Sequence, residues 1–167
     1  MNSIISILCG VYLIGLGVYI IYFITNFLTT TVHNNNLTID QLNIPKTQYV
    51  RLVVKWCINN ICVGKKYNPI ITLKYHNNKK LHGTYDFITN EIVIYINTHS
   101  TILQLTNTII HEVVHMTQGR GMKMSKKYSR ETQDKGYLNN EYEIQCRTKS
   151  SKYDLQCMRE VLELSPT

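Results

Sequence analysis

His111-Glu112-Val113-Val114-His115 is the one run in this chain whose residue types and spacing suit hydrolytic chemistry. Histidines four apart on an α-helix lie about 6 Å apart along the axis and only about 40° apart around it, so both rings can reach one ion. Tetrahedral zinc accepts such imidazoles at about 2.0–2.1 Å. Glu112 projects about 100° round from His111, beside the ion rather than toward it. That is the place for a general base. Zinc lowers the pKa of its water from about 9 toward 7, and a neighbouring carboxylate can take the proton as that water attacks a carbonyl. The same carboxylate can then pass the proton to the departing amine. The pattern H-E-x-x-H therefore predicts His111 and His115 as zinc ligands and Glu112 as the catalytic base. Two core histidines bonded to carbonyls are the plainer alternative.

The element that must carry these residues runs from Ile102 to Gln118. Ile102, Leu105, Ile109, Val113 and Met116 make an apolar stripe at helical spacing, widened by Leu103, Ile110 and Val114. What is left is a narrow polar stripe, Gln104, Thr108, His111, His115 and Gln118, which must face a cleft. Upstream, Val50, Val53, Val54, Cys57, Ile58 and Ile61 predict a helix from Lys46 to about Cys62, with Trp56 either on the core or at a membrane surface. Alternating segments at Ile70–Tyr75, His82–Phe87 and Glu91–Asn97 read as strands joined by Asn-rich turns, a small antiparallel sheet. Thr98 or Ser100 is the expected cap of the histidine-bearing helix. Gly119-Arg120-Gly121 ends that helix, residues up to Asn139 read as a long basic loop, and a last helix is expected from Asn140 to Leu164.

The chain of 167 residues has room for one compact domain and an appendage. From Ser3 to Leu28 there is no charged side chain, enough for a transmembrane helix. The expected division is an anchor over residues 1–28, a polar linker over 29–45 and a catalytic domain over 46–167. The net charge of +7 then belongs to the part beyond the anchor, and no aromatic interleaving accompanies it, so no nucleic-acid partner is expected. Five cysteines, an odd number, make no disulfide framework. Reduced thiols and the basic Lys46, Arg51 and Lys55 after the anchor point to a single-pass membrane protein with its domain facing the cytoplasm.

A catalytic zinc takes three protein ligands and keeps one position open. No histidine follows His115, so a carboxylate or thiolate must complete the set, from Glu131, Asp134, Glu141, Glu143, Cys146 and Asp154. Glu141 and Glu143 lie about 200° apart on a helix, so only one can face inward. The stripe through Glu141 continues with Ile144, Thr148, Leu155, Met158 and Leu162 and is the more apolar. The stripe through Glu143 runs Cys146, Ser150, Asp154 and Cys157.

The tract IIHEVVHMTQ followed by NEYEIQC resembles the gluzincins, zinc metallopeptidases in which a glutamate from a following helix joins the two histidines. Membrane-bound members carry E-F-x-A-D, and small phage- and virus-like ones a form such as E-x-E-A. Glu141-Tyr142-Glu143-Ile144 is similar, with Glu141 in the ligand position; Ile144 stands where a small residue is usual and Gln145 where an aspartate is common. Sliding the match onto Cys146 makes Glu143 the ligand instead. The resemblance spans about residues 83 to 147. It implies a zincin-like α+β fold, with the small sheet packed on the buried active-site helix and a C-terminal helix, and with Glu91–Asn97 as the cleft edge that a peptide substrate extends. Tyr137 and Tyr128 are the available oxyanion donors, and each also reads as a surface tyrosine. The expected protein is a membrane-anchored zinc (Zn2+) metallopeptidase, with His111, His115 and Glu141 on the metal and Glu112 as base. The rival is a tethered, non-catalytic scaffold whose zinc is structural and closed by a fourth side chain such as Cys146.

Overall fold

A computed structural model of the chain describes residues 16–22, 37–62, 67–75 and 81–164. Contacts divide the chain into Met1–Asn36 and Leu37–Thr167, and the second unit holds the elements below. They are α1 (Lys46–Asn60), β1 (Ile70–Lys74), β2 (Gly83–Asp86), β3 (Glu91–Tyr95), α2 (Ile102–Gln118), α3 (Gly121–Lys135) and α4 (Glu141–Glu163).

The fold is α+β, with a three-stranded sheet in the order β1-β3-β2. The transmembrane helix expected over residues 1–28 is corrected: among the described residues no helix is long and apolar enough to cross a membrane. A helical span needs about 20 residues, and the described helical stretch within that region is residues 16–22. The remainder of the expected anchor lies outside the described residues. The single-pass membrane placement, inferred from uncharged length alone, goes with it.

The sheet also differs from the antiparallel one expected. β2 and β3 form an antiparallel hairpin, Gly83 opposite Ile94 and Asp86 opposite Glu91. Its turn is built by Asp86, whose Oδ1 accepts from Ile88 N and Thr89 N at 2.7 and 3.1 Å, and by Asn90 at φ 57°. β1 pairs in parallel with the other edge of β3, Ile70 opposite Glu91 through Lys74 opposite Tyr95. The chain reverses between successive strands, as the turn residues suggest, but β1 lies beyond β3, which makes that pair parallel. β3 is thus central, with Ile92 and Ile94 fully buried.

α2 is the axis of the domain, covered by α1, α4 and the sheet. Its cap is Thr101, whose side chain accepts from Gln104 N at 3.2 Å; Ser100, one of the expected caps, holds Gln104 Oε1 instead. α1 begins after Pro45 and buries Tyr49, Val50, Val53, Val54, Trp56 and Cys57. Tyr49 OH and Thr106 Oγ1 are 2.6 Å apart in the core, and Trp56 belongs to the core as well, its Nε1 donating to Glu160 Oε2 at 2.6 Å. Where a loop was expected after Arg120 the chain forms α3. It is a strongly polar helix, and Met124 is its only buried residue. α4 starts at Asn140, which accepts from Tyr142 N at 2.9 Å and donates to Thr132 Oγ1 at 2.7 Å, tying α3 to α4.

Candidate metal centre

The polar stripe of α2 brings His111 and His115 together, one turn apart, with ring centroids 4.9 Å from each other. α4 packs across this stripe and inserts the Glu143 carboxylate between them. Its Oε2 is 3.2 Å from His111 Nε2 and its Oε1 is 3.0 Å from His115 Nε2. Glu143 is only 1% exposed. α4 can approach this closely because the same face carries Cys146, Ser150 and Cys157, all small and buried.

Glu141 is not brought to the histidines. It is exposed and pairs with Lys135 Nζ at 2.8 Å, which holds its carboxyl below the usual range. The other acidic candidates lie elsewhere: Glu131 also pairs with Lys135 at 2.8 Å, Asp154 accepts from Asn107 Nδ2 at 2.9 Å, and Asp134 is exposed. Cys146 does reach the centre. One donor atom each from His111, His115 and Cys146 fall within 4.8 Å of one another, a group that could hold a metal ion.

The hydrogen bonds around the centre decide which atoms are free to ligate. Gln118 Nε2 donates to Tyr142 O at 2.8 Å, which fixes the amide and turns its Oε1 toward His115 Nδ1 at 2.9 Å. An amide oxygen only accepts, so His115 Nδ1 carries the proton and the neutral ring presents a lone pair at Nε2. That lone pair faces a carboxylate oxygen, which also only accepts, and the two repel unless a proton or a cation sits between them. Glu143 Oε2 is likewise buried with no well-formed hydrogen bond. The residues therefore fit a metal ion.

The charges follow from the same contacts. Burial pushes the Glu143 carboxyl up, but the hydrogen bonds of His111, His115, Tyr128 and Tyr137 outweigh it and hold the group well below its ordinary value. Burial pushes His115 down, and its bond to Glu143, with the Glu112 charge, more than restores it. Glu112 is raised to about 7 by burial, against the pull of His111 and His115.

Glu112 lies beside this centre, packed under β2. A Cβ at Gly83 would come within 2.8 Å of Thr108 Cγ2 and 3.0 Å of Glu112 Oε1, so β2 can sit this close only with glycine there. A cavity of about 300 Å³ opens over Glu112, His111, His115 and Glu143, walled by Gly83, Thr84 and Tyr85 of β2, by Phe87 and by Tyr128 and Tyr137. The strand at the cleft is thus β2, an edge strand, and not β3, which is central.

Sequence reasoning named two contributors, Tyr128 as a candidate oxyanion donor and Gln118 on the polar stripe, without the roles they take here. Tyr128 OH donates to Glu143 Oε1 at 2.5 Å from a helix that read as a loop. Gln118 was placed on the polar stripe, and its spacing of three residues from His115 is the signal for its role. The chain, compared with protein-family models, curated proteins and solved structures, matches none of them.

Proposed function

We propose that the protein is a zinc-dependent metallopeptidase resembling the gluzincins, with His111, His115 and Glu143 as the metal ligands and Glu112 as the general base. The observation that carries this reading is the buried Glu143 carboxylate, set between two imidazole nitrogens at 3.2 and 3.0 Å. Two histidines and a glutamate are a donor set typical of catalytic zinc, which in such sites keeps a position open. Zinc held there supplies Lewis acidity, polarising a carbonyl and making a water nucleophilic near neutral pH.

The rest is the work of this chain's side chains. Glu112 Oε1 faces Gly83 and the cavity; it accepts the proton of the attacking water and returns it to the amine nitrogen that leaves. Gln118 holds His115 in the ligating tautomer. The free edge of β2 offers backbone N–H and C=O groups to an extended peptide, which places its carbonyl over Glu112. Phe87 and Tyr128 give the cavity an aromatic wall.

A second reading, a non-catalytic scaffold with a closed structural zinc, is favoured by Cys146, whose thiol lies within 4.8 Å of the ligating imidazole atoms. The experiment that separates them is metal analysis of the purified full chain beside a peptide-cleavage assay with and without chelator. The peptidase reading expects one zinc per chain and chelator-sensitive cleavage. In Glu112→Gln it expects zinc retained and cleavage reduced by at least about 100-fold. Bound zinc without cleavage of any peptide in a mixed library supports the scaffold, and undiminished turnover in Glu112→Gln removes Glu112 from the mechanism.

A further inference from the structure

The free edge of β2 is short, and the chain's entry into α3 closes it at one end. Tyr95 N donates to His82 O at 3.0 Å, so by the alternation of an antiparallel ladder His82, Thr84 and Asp86 bond toward β3. Gly83 and Tyr85 therefore turn their N–H and C=O groups to the free edge. The next outward carbonyl, Phe87 O, is taken by Gly121 N at 2.6 Å. An extended peptide on this edge can pair with Gly83 and Tyr85 but not beyond Phe87. There it is turned out onto the start of α3, which the exposed Arg120 precedes. Burial raises the Tyr85 phenol, and the Arg120 charge pulls it part of the way back, so that charge is felt in the cavity wall.

Arg120 is the first of a row. Lys123, Lys127 and Arg130 follow at intervals of three, four and three residues, which on a helix is a single stripe, and Lys126 flanks it. All five are exposed, whereas Met124 and Tyr128 of the same helix turn inward. No acid occurs from Arg120 to Arg130, and among the described residues no carboxylate pairs with any of the five. The nearby Glu131 and Glu141 are both held by Lys135 at 2.8 Å, and Lys127 instead leans over the Tyr142 ring, 5.5 Å from its centroid. Like charges one turn apart on a helix repel by a few tenths of a kcal/mol per pair. A partner of opposite charge relieves that repulsion. From Arg120 to Arg130 the stripe covers about 15 Å of helix axis, the length of about four or five residues of extended chain. Met122 is the one exposed large apolar residue of α3, so this face has little to insert into a bilayer.

We propose that the basic stripe Arg120, Lys123, Lys127 and Arg130 is a substrate-docking surface, which takes an acidic run of the peptide as it leaves the β2 edge on one side of the scissile bond. This rests on the peptidase reading and names the substrate class of that same site. Exposed charges at the rim of a site act through encounter and weak, salt-screened attraction, so the preference is read in kcat/KM and fades with salt.

The test uses the zinc-loaded full chain and peptides of one cleaved core sequence, extended on one side or the other by a run of about four Glu, or of Gln as the uncharged match. The Glu peptide is expected to exceed its Gln match in kcat/KM by about tenfold at about 0.1 M salt, on one side of the scissile bond only, and to lose most of that advantage at about 1 M. The combined variant Arg120→Gln, Lys123→Gln, Lys127→Gln and Arg130→Gln is expected to bring the ratio to within about twofold of unity. Arg51→Gln with Lys55→Gln, on a helix that lines none of the cavity, is expected to keep the wild-type ratio. A chain that cleaves the core sequence with no preference for Glu, with equal preference on both sides, or with a preference that survives in the combined variant overturns the docking surface and leaves the peptidase reading standing. Binding to phosphatidylserine vesicles that the combined variant abolishes, with no charge preference among peptides, also overturns it and assigns the stripe to a lipid surface. A wild-type chain that cleaves no peptide overturns both readings.

Discussion

Two imidazoles and the Tyr128 hydroxyl crowd one carboxylate at Glu143, while Glu141, two residues away, meets a surface lysine. Substituting each in turn separates a ligand from a neighbour. Glu143→Gln is expected to weaken zinc by more than about 100-fold, beyond what outer-shell losses cost. Glu141→Gln removes an exposed ion pair and is expected to leave zinc affinity unchanged. Equal losses in the two variants would contradict the assignment. His111, Glu112 and His115 were legible because their chemistry needs no partner to be recognised. The choice between Glu141 and Glu143 was not, since helical geometry says only that one faces inward. Apolarity favoured the stripe with Ile144, yet Ile144 is 45% exposed. Close helix packing selected the stripe with small residues instead.

A second residue-scale consequence concerns His99, which stands outside the metal centre. Its Nδ1 lies 3.0 Å from Tyr95 O and its Nε2 2.9 Å from Thr108 Oγ1. Burial, with the neighbouring His82, lowers its pKa to about 4. The group is neutral when folded, while the unfolded chain takes up a proton below about 6.5. Between those values the unfolded state binds more protons, so the His99 contribution to stability is lost as pH falls from about 6.5 to about 4 and is fully present above. Denaturant titrations of the metal-free chain across this range should show a decline that is shallower in His99→Gln. An identical slope would contradict the expectation.

At the scale of elements, the site depends on how closely β2 lies on α2. Gly83→Ala sets a methyl group 2.8 Å from Thr108 Cγ2 and 3.0 Å from Glu112 Oε1, so either β2 or these side chains must shift. Overpacking of this kind costs about 1–3 kcal/mol, and here it also displaces the base, so cleavage should fall more steeply than the denaturant midpoint. Loss of stability with full activity would contradict this. Thr101→Ala removes the cap of α2 and is expected to cost about 1 kcal/mol without altering zinc affinity. α2 was legible from its apolar period and α4 from its capping Asn140, while the cap of α2 is Thr101 and not Thr98 or Ser100. α3 was not, because its few apolar residues are outnumbered by charged and polar ones, and it buries only Met124; Gly121 N donating to Phe87 O at 2.6 Å ties its start to the end of the β2 hairpin strand. The strand order β1-β3-β2 was hidden for a different reason: alternation marks faces, not neighbours.

Across the whole molecule, one buried helix serves two ends. The apolar face of α2 is the core against which α1, α4 and the sheet assemble, and its remaining stripe supplies the histidines of the candidate metal centre. Stability and site are therefore coupled through α2 and α4. Metal bound between them should raise the unfolding midpoint of the full chain, more so at higher free zinc, as expected of a ligand that binds only the folded state. The uncharged stretch near the N-terminus shows the reverse situation, where length and composition alone suggested a span that no described helix forms.

The most direct test of the metal assignment is X-ray absorption at the zinc edge on the zinc-loaded chain. The account predicts a shell of nitrogen and oxygen donors alone, at about 2.0–2.2 Å. A sulfur scatterer at about 2.3 Å would place Cys146 on the ion and contradict an open catalytic centre.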